Sequence, residues 1–300
     1  MTIVKDDMGR LLDAGVKTLF YKAYETAPAQ YENVVTVVPS NTNSEDYSWL
    51  GALPTMREWT DERIPRGLIE HEFTITNKDW EVTIAVDRNV IEDDQYGQLK
   101  ARITAMAEEA RRHIDELVFE LIASGFSTEC YDGEYFFDTD HPDGSGGSQS
   151  NKGSDALSAS AYGAVRAAMM KFIDDQGRVM GVVPDTLVVP PELEETARQV
   201  LNSDFYPEIG YEHIGNPWKG SAHLVVSPYL LDSDDWFLLC TSRAVRPLVL
   251  QMRREVTFNA LEGQSEGGFM RKRYLYGADA RYNVGFGPWQ FAYGNSVSGS

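Results

Sequence analysis

Three groups of residues in this 300-residue chain have types and spacing that could do chemistry. Gly263-Gln264-Ser265-Glu266-Gly267 matches the G-x-S-x-G turn that exposes a nucleophilic serine in esterases. That turn needs a strand before it, a helix after it and a histidine later in the chain. Here a strand-like segment follows, and the last histidine, His223, lies upstream of Ser265. Asp138, Asp140, His141 and Asp143 could ligate a hard cation, but Pro142 occupies the third ligand position of a calcium loop and Gly144 arrives one residue late. The expected structure is a turn in which aspartates accept from backbone amides, with no metal bound. His213 and His223 lack zinc-site spacing. With no P-loop, dinucleotide fingerprint or aromatic-basic RNA motif, no residue is assigned a catalytic, cofactor-binding or metal-binding role, and the chain is not expected to be an enzyme.

Composition narrows the partners. The chain is 42% hydrophobic and 24% charged, enough apolar material for a sizeable core. Its net charge of −19 is the reverse of a free nucleic-acid binder, which needs a basic surface to displace counterions. Cys130 and Cys240 form no C-x-x-C and suit buried thiols in a reducing compartment. The N-terminus lacks the basic start and apolar run of a signal peptide, and no stretch approaches 18 apolar residues.

The strongest local signal is Asp93–Gly125, read as one helix. Leu99, Ile103, Met106, Ala110, Ile114, Leu117 and Leu121 keep one apolar stripe. Glu108/Arg112, Arg111/Asp115 and Arg112/Glu116 have i,i+4 spacing on the other side. Asp93 and Asp94 suit the N-terminal cap, and Gly125 a left-handed C-terminal closure. Ahead of it, 6–24 predicts an amphipathic helix. Residues 25–60 are loop-like yet rich in aromatic and β-branched side chains, so they must lie against something, either their own core or a neighbouring subunit.

Residues 56–76 predict a projecting hairpin: MREWTDER outward, Ile64-Pro65-Arg66-Gly67 at the tip, LIEHEFTIT returning. Phe73 and Ile75 alternate with Thr74 and Thr76, Asn77-Lys78-Asp79 makes a turn, and Val82, Ile84 and Val86 form a second strand. Trp49, Arg57, Trp59, Arg63 and Arg66, with Tyr47, are the expected contacts to a neighbouring subunit, because such a surface is costly to leave uncovered. After the helix, Phe126–Asn151 holds six acidic residues and no lysine or arginine, and includes the run GSGGSQS. Residues 155–245 alternate strand and helix and read as a separate lobe. Residues 247–293 are strand-rich, and no internal repeat is visible.

This order of parts resembles the HK97-type fold of phage coat proteins. VVPSNTNSEDYSWLGALPTMREW, FFDTDHP, LVVPPELEETAR and the pair NPWKG and VVSPYL resemble the Mu-like phage major head subunit family, gpT, over about residues 31–290. The resemblance implies an α+β fold with an N-terminal arm (1–55), an extended loop (56–76), a peripheral domain (77–154 and 246–300) built on the long helix as a spine, and an axial domain (155–245). It implies a major capsid protein that self-assembles as hexamers and pentamers into an icosahedral shell around double-stranded DNA. Portal, scaffold, protease and decoration proteins would be its partners, the virion its place, and the bacterial host cytoplasm its site of assembly. The chain starts directly on the arm, so no large cleaved scaffolding region is expected ahead of it. The charge of −19 agrees with a wall to which packaged DNA must not adhere. An encapsulin-like compartment shell and a serine hydrolase using Ser265 are the alternatives.

Overall fold

The computed structural model describes residues 5–47, 73–87, 89, 96–142, 147–174, 177–206, 214–261 and 273–297. Its frame is a long helix lying along a long β-hairpin. The helices are α1 (Lys5–Thr26), α2 (Tyr96–Ser124), α3 (Ala159–Met169) and α4 (Glu194–Asn202). The strands are β1 (Val35–Pro39), β2 (Ser44–Asp46), β3 (Thr74–Thr76), β4 (Lys78–Asp87), β5 (His141–Pro142), β6 (Ser148–Gln149) and β7 (Lys152–Gly153). They continue with β8 (Thr186–Val189), β9 (His223–Val226), β10 (Trp236–Leu239), β11 (Leu248–Leu261), β12 (Arg273–Phe286) and β13 (Ala292–Asn295).

At 29 residues, α2 is about 44 Å long at 1.5 Å per residue. The 14-residue strands β11 and β12 each reach about 46 Å at roughly 3.3 Å per residue, so helix and hairpin match in length. β11 and β12 pair antiparallel, with register shifts between Met252 and Arg254 and between Arg254 and Thr257. β1 adds in parallel to β11 and β4 antiparallel to β12, giving the order β1-β11-β12-β4. Tyr276, Ala278, Ala280 and Tyr282 of β12 are buried at every second position, as a strand covered on one face requires. Phe20 of α1 stacks on Phe258 of β11 at 4.8 Å between ring centres.

A second sheet has the order β7-β13-β10-β8-β9. β8 and β10 are buried at all four positions; β10 is a continuous apolar run, and β8 is one after Thr186. α3 begins at Ser158, whose hydroxyl accepts from the Ala161 amide at 3.1 Å, and α4 follows a 3₁₀ turn at Pro191–Leu193. A lobe bounded at 155 and 245 therefore borrows β7 and β13 from outside its bounds. One continuous core joins both sheets. At their junction Phe137 lies 4.9 Å from Phe126, 4.9 Å from Phe136 and 5.3 Å from Phe237, and Phe136 stacks on Phe286 at 4.2 Å. A Cβ on Gly294 would come within 2.8 Å of the Phe137 ring, so the strand can pass only without a side chain there.

Several local expectations change. The buried face of α2 carries Leu99, Ile103, Met106, Ala107, Ile114, Val118, Phe119 and Ile122, while Ala110, Leu117 and Leu121 are only half-buried. The stripe shifts because α2 packs against both α1 and the sheet. Gly125 has no positive φ. Its missing side chain makes room for Phe137, whose ring would stand 2.8 Å from a Cβ. Lys78 and Asp79 already belong to β4, so the turn reduces to Asn77, whose Nδ2 donates to Ser40 Oγ at 2.9 Å and to the Thr42 carbonyl at 3.0 Å. Asp93 and Asp94 lie outside the described residues.

Candidate assembly site

The paired stem that flanks residues 48–72 is the first part of this site. β2 and β3 pair antiparallel, with Ser44 opposite Thr76 and Asp46 opposite Thr74. The Tyr47 amide extends the ladder to the Phe73 carbonyl at 2.8 Å. The stem therefore lies at 44–47 and 73–76, and Trp49, Arg57, Trp59, Arg63 and Arg66 lie between its strands, outside the described residues.

Tyr47 corrects an expectation. It is 2% exposed, and its hydroxyl donates to Gln251 Oε1 at 2.9 Å, so it anchors the loop to its own sheet rather than meeting a neighbour. Gln251 Nε2 donates onward to the Ile75 carbonyl at 3.0 Å, which ties both sides of the stem to β11. Ile75 is buried against Gly285, where any Cβ would collide with its Cδ1. The half-buried Glu45 carboxylate closes the preceding turn, accepting from the Asn41 amide at 2.7 Å, the Ser40 hydroxyl at 2.9 Å and the Thr42 amide at 3.0 Å. Those bonds stabilise its charged form and lower its pKa to about 2.

The second part joins the N-terminal segment to α2. Asp115, 7% exposed, accepts the amides of Gln30 at 3.0 Å and Tyr31 at 2.7 Å. Burial raises its pKa against the effect of those bonds. One turn earlier, Arg111 donates to the Tyr31 hydroxyl at 2.7 Å and pairs with Glu32. Its guanidinium stands 5.2 Å from the ring centres of Tyr24 and Tyr31. The expected Arg111/Asp115 pair is thus redirected: both side chains reach across to residues 24–32. Arg112 pairs with Glu109, three residues back. The first half of the 25–60 segment, as far as Tyr47, lies on its own core.

His113 lies on the sheet side of α2. Its ring stands 4.3 Å from Trp80, and its Nδ1 is 2.8 Å from the Tyr282 hydroxyl. Burial lowers its pKa, opposed by Glu116, Glu109 and Glu120. A histidine harder to protonate folded than unfolded adds nothing unfavourable above its unfolded pKa of about 6.5 and destabilises progressively as pH falls below it. Melting temperature followed from pH 7.5 to 5 should therefore drop more in the native chain than in His113→Gln. Equal slopes would refute the assignment.

The third part is the 126–153 segment. Asp138 Oδ1 accepts the Thr139 amide at 2.6 Å, as a turn aspartate should, and Asp140 is exposed. His141 behaves otherwise: it is 0% exposed, with Nδ1 2.7 Å from Asp132 Oδ2 and its ring stacked on Trp289 at 4.0 Å. Asp132 feels opposing effects: burial raises its pKa, but hydrogen bonds from His141 and Cys130 outweigh that and lower it. Nothing in the local sequence pairs His141 with Asp132, since the nearer aspartates are the obvious partners. Cys130 and Cys240 are free and buried, as expected. Asp143, His213 and Ser265 lie outside the described residues, and His223 is exposed at the start of β9.

Apolar side chains also face outward. Leu231 is 91% exposed, Phe205 57% and Ile214 52%, the last two bracketing residues 207–213. No helix among the described residues is long and apolar enough to cross a membrane.

The family model for the Mu-like prophage major head subunit gpT matches residues 10–159, 151–230 and 232–298. The Mu-like prophage FluMu major head subunit of Haemophilus influenzae is 29% identical over 98% of this chain and 74% of its own. The major capsid protein of Escherichia phage Mu is 30% identical over 91% of this chain and 68% of its own. Among solved structures, a chain from the procapsid of bacteriophage JBD30 is similar with a TM-score of 0.62 at 30% identity, over 98% of this chain and 76% of that one.

Proposed function

The chain belongs to the Mu-like prophage major head subunit gpT family, and from that membership we propose how it builds a head. It is the major capsid protein of a Mu-like tailed phage or prophage and self-assembles into an icosahedral shell. The match to the family model along 10–298 carries this reading. The α+β architecture with its 29-residue helix on a long hairpin agrees with an HK97-like fold.

Within that fold, α2 is the spine of the peripheral domain, and the 155–245 lobe is the axial domain around which hexamers and pentamers close. One chain filling both ring environments requires heterologous contacts, and the outward Leu231, Phe205 and Ile214 supply apolar surface for them. The loop between 47 and 73 reaches across the adjacent subunit, with Trp59 as its apolar anchor and Arg57, Arg63 and Arg66 set against carboxylates of an acidic neighbour. Its doubly tethered root supports this role, since a loop that bears load needs a fixed base. The shell encloses double-stranded DNA without sequence-specific contact. Portal, scaffold, protease and decoration proteins are its other partners, assembly takes place in the host cytoplasm, and the chain performs no catalysis.

Arg63→Glu/Arg66→Glu is expected to abolish closed shells in electron micrographs while far-UV circular dichroism stays unchanged. Normal shells from the double variant would remove the loop from the assembly mechanism. DNA inside native particles would distinguish a phage head from a protein compartment.

A further inference from the structure

We propose that Cys130, Asp132 and His141 form a binding site for a divalent metal ion of the zinc class. Cys130 Sγ, the Asp132 carboxylate and His141 Nδ1 lie within 4.8 Å of one another. The side chains of Asp132 and His141 are 3% and 0% exposed. Sulfur, nitrogen and carboxylate donors together suit zinc better than magnesium or calcium.

The far side of the imidazole carries the argument. Asn151 Nδ2 donates to the carbonyls of Phe136 at 2.8 Å, Ala292 at 3.3 Å and Trp289 at 3.4 Å. Asn151 Oδ1 accepts the Asp138 amide at 2.9 Å. The amide therefore cannot be reversed, and it is an oxygen that faces His141 Nε2 at 3.1 Å. Nε2 must carry a proton. A neutral ring then has only a lone pair on Nδ1, aimed at a carboxylate oxygen 2.7 Å away. Two lone pairs at that separation repel strongly in a buried pocket, so either a second ring proton on Nδ1 or a metal ion in front of both atoms must neutralise them. Donation from the remote ring nitrogen to a fixed acceptor is also how metal-binding histidines are oriented.

Cys130 adds a third, softer donor beside the same carboxylate. Its Sγ lies 3.0 Å from the other oxygen of the same carboxylate. With metal–ligand bonds of roughly 2.0–2.3 Å, donors at about a right angle stand about 3 Å apart. Both observed separations have that size, so a chelating carboxylate flanked by sulfur and nitrogen offers four donor atoms. Thiolate and carboxylate together neutralise a divalent cation, leaving no net buried charge. The metal replaces two protons, one on the Cys130 thiol, which burial and Asp132 otherwise hold in place, and one on Nδ1. The segment it closes has only the two-residue strands β5, β6 and β7, and the ion would clamp it through His141 onto Trp289.

The test uses the whole 300-residue chain, unassembled and in shells. Plasma mass spectrometry should find about one zinc per chain. Cobalt titration should give a sulfur-to-cobalt charge-transfer band in the native chain and none in Cys130→Ser. Zinc should raise the melting temperature of the native chain but not of His141→Gln, and calcium should raise neither. Should either variant misfold, cobalt titration of the native chain decides alone. The proposal is overturned if neither zinc nor cobalt binds, and ¹⁵N spectra would then show both His141 ring nitrogens protonated. That result would mean a buried imidazolium–carboxylate pair.

Discussion

Trp289→Ala should lower the stability of the unassembled subunit by about 3–5 kcal/mol, the usual range for emptying a large buried aromatic site. Trp289 is 1% exposed, carries the His141 ring on one face and meets the edge of Phe172 at 5.4 Å. It sits in the 3₁₀ turn just before β13, so its loss frees the 126–153 segment from the five-stranded sheet as well as opening a cavity. Urea denaturation followed by far-UV circular dichroism would measure the loss, and hydrogen exchange should show the new mobility concentrated in 126–153. Trp289→Phe keeps part of the stacking and should recover part of the stability. A change below about 1 kcal/mol for the alanine variant would mean the neighbours collapse into the space, and the clamp would have to be placed elsewhere.

Asp115→Ala should cost about 2–4 kcal/mol, because it strands the Gln30 and Tyr31 amides and removes a charged acceptor from the middle of α2. Asp115→Asn retains one accepting oxygen and should cost less. The two variants separate the hydrogen bonds from the charge, since Arg111 keeps Glu32 and Tyr31 in both. Limited proteolysis should cut the alanine variant first between 27 and 34. If cleavage there is unchanged and stability holds, the N-terminal segment is retained by the Phe20–Phe258 contact instead.

Much of the frame was legible because it is local. The helical period within 93–125 and the alternation of Phe73–Thr76 and Val82–Val86 each follow from neighbouring residues, and over the described residues each reappears in the structure. The family motifs were legible for the same reason. Misreadings arose where two constraints compete for one residue. Gly125 looks like a left-handed cap, but its lack of a side chain serves Phe137 from a segment twelve residues on. Arg111 and Asp115 have the spacing of an intrahelical pair, yet the backbone amides at Gln30 and Tyr31 offer Asp115 partners that no helix spacing encodes.

The amino-acid sequence by itself determined the family, the order of elements, the acidic character and the reduced cysteines, because these depend on composition and short-range pattern. Only the tertiary structure decided the partners. It paired β2 with β3 across the loop, turned Tyr47 inward to Gln251, and drew His141 away from Asp138 and Asp140 to Asp132, Asn151 and Trp289. The physical reason is the same in each case. Burial removes water as a partner, so a polar side chain must take whichever donors and acceptors the packing of distant segments brings within reach, and that choice is made by the whole core rather than by the residues beside it in the chain.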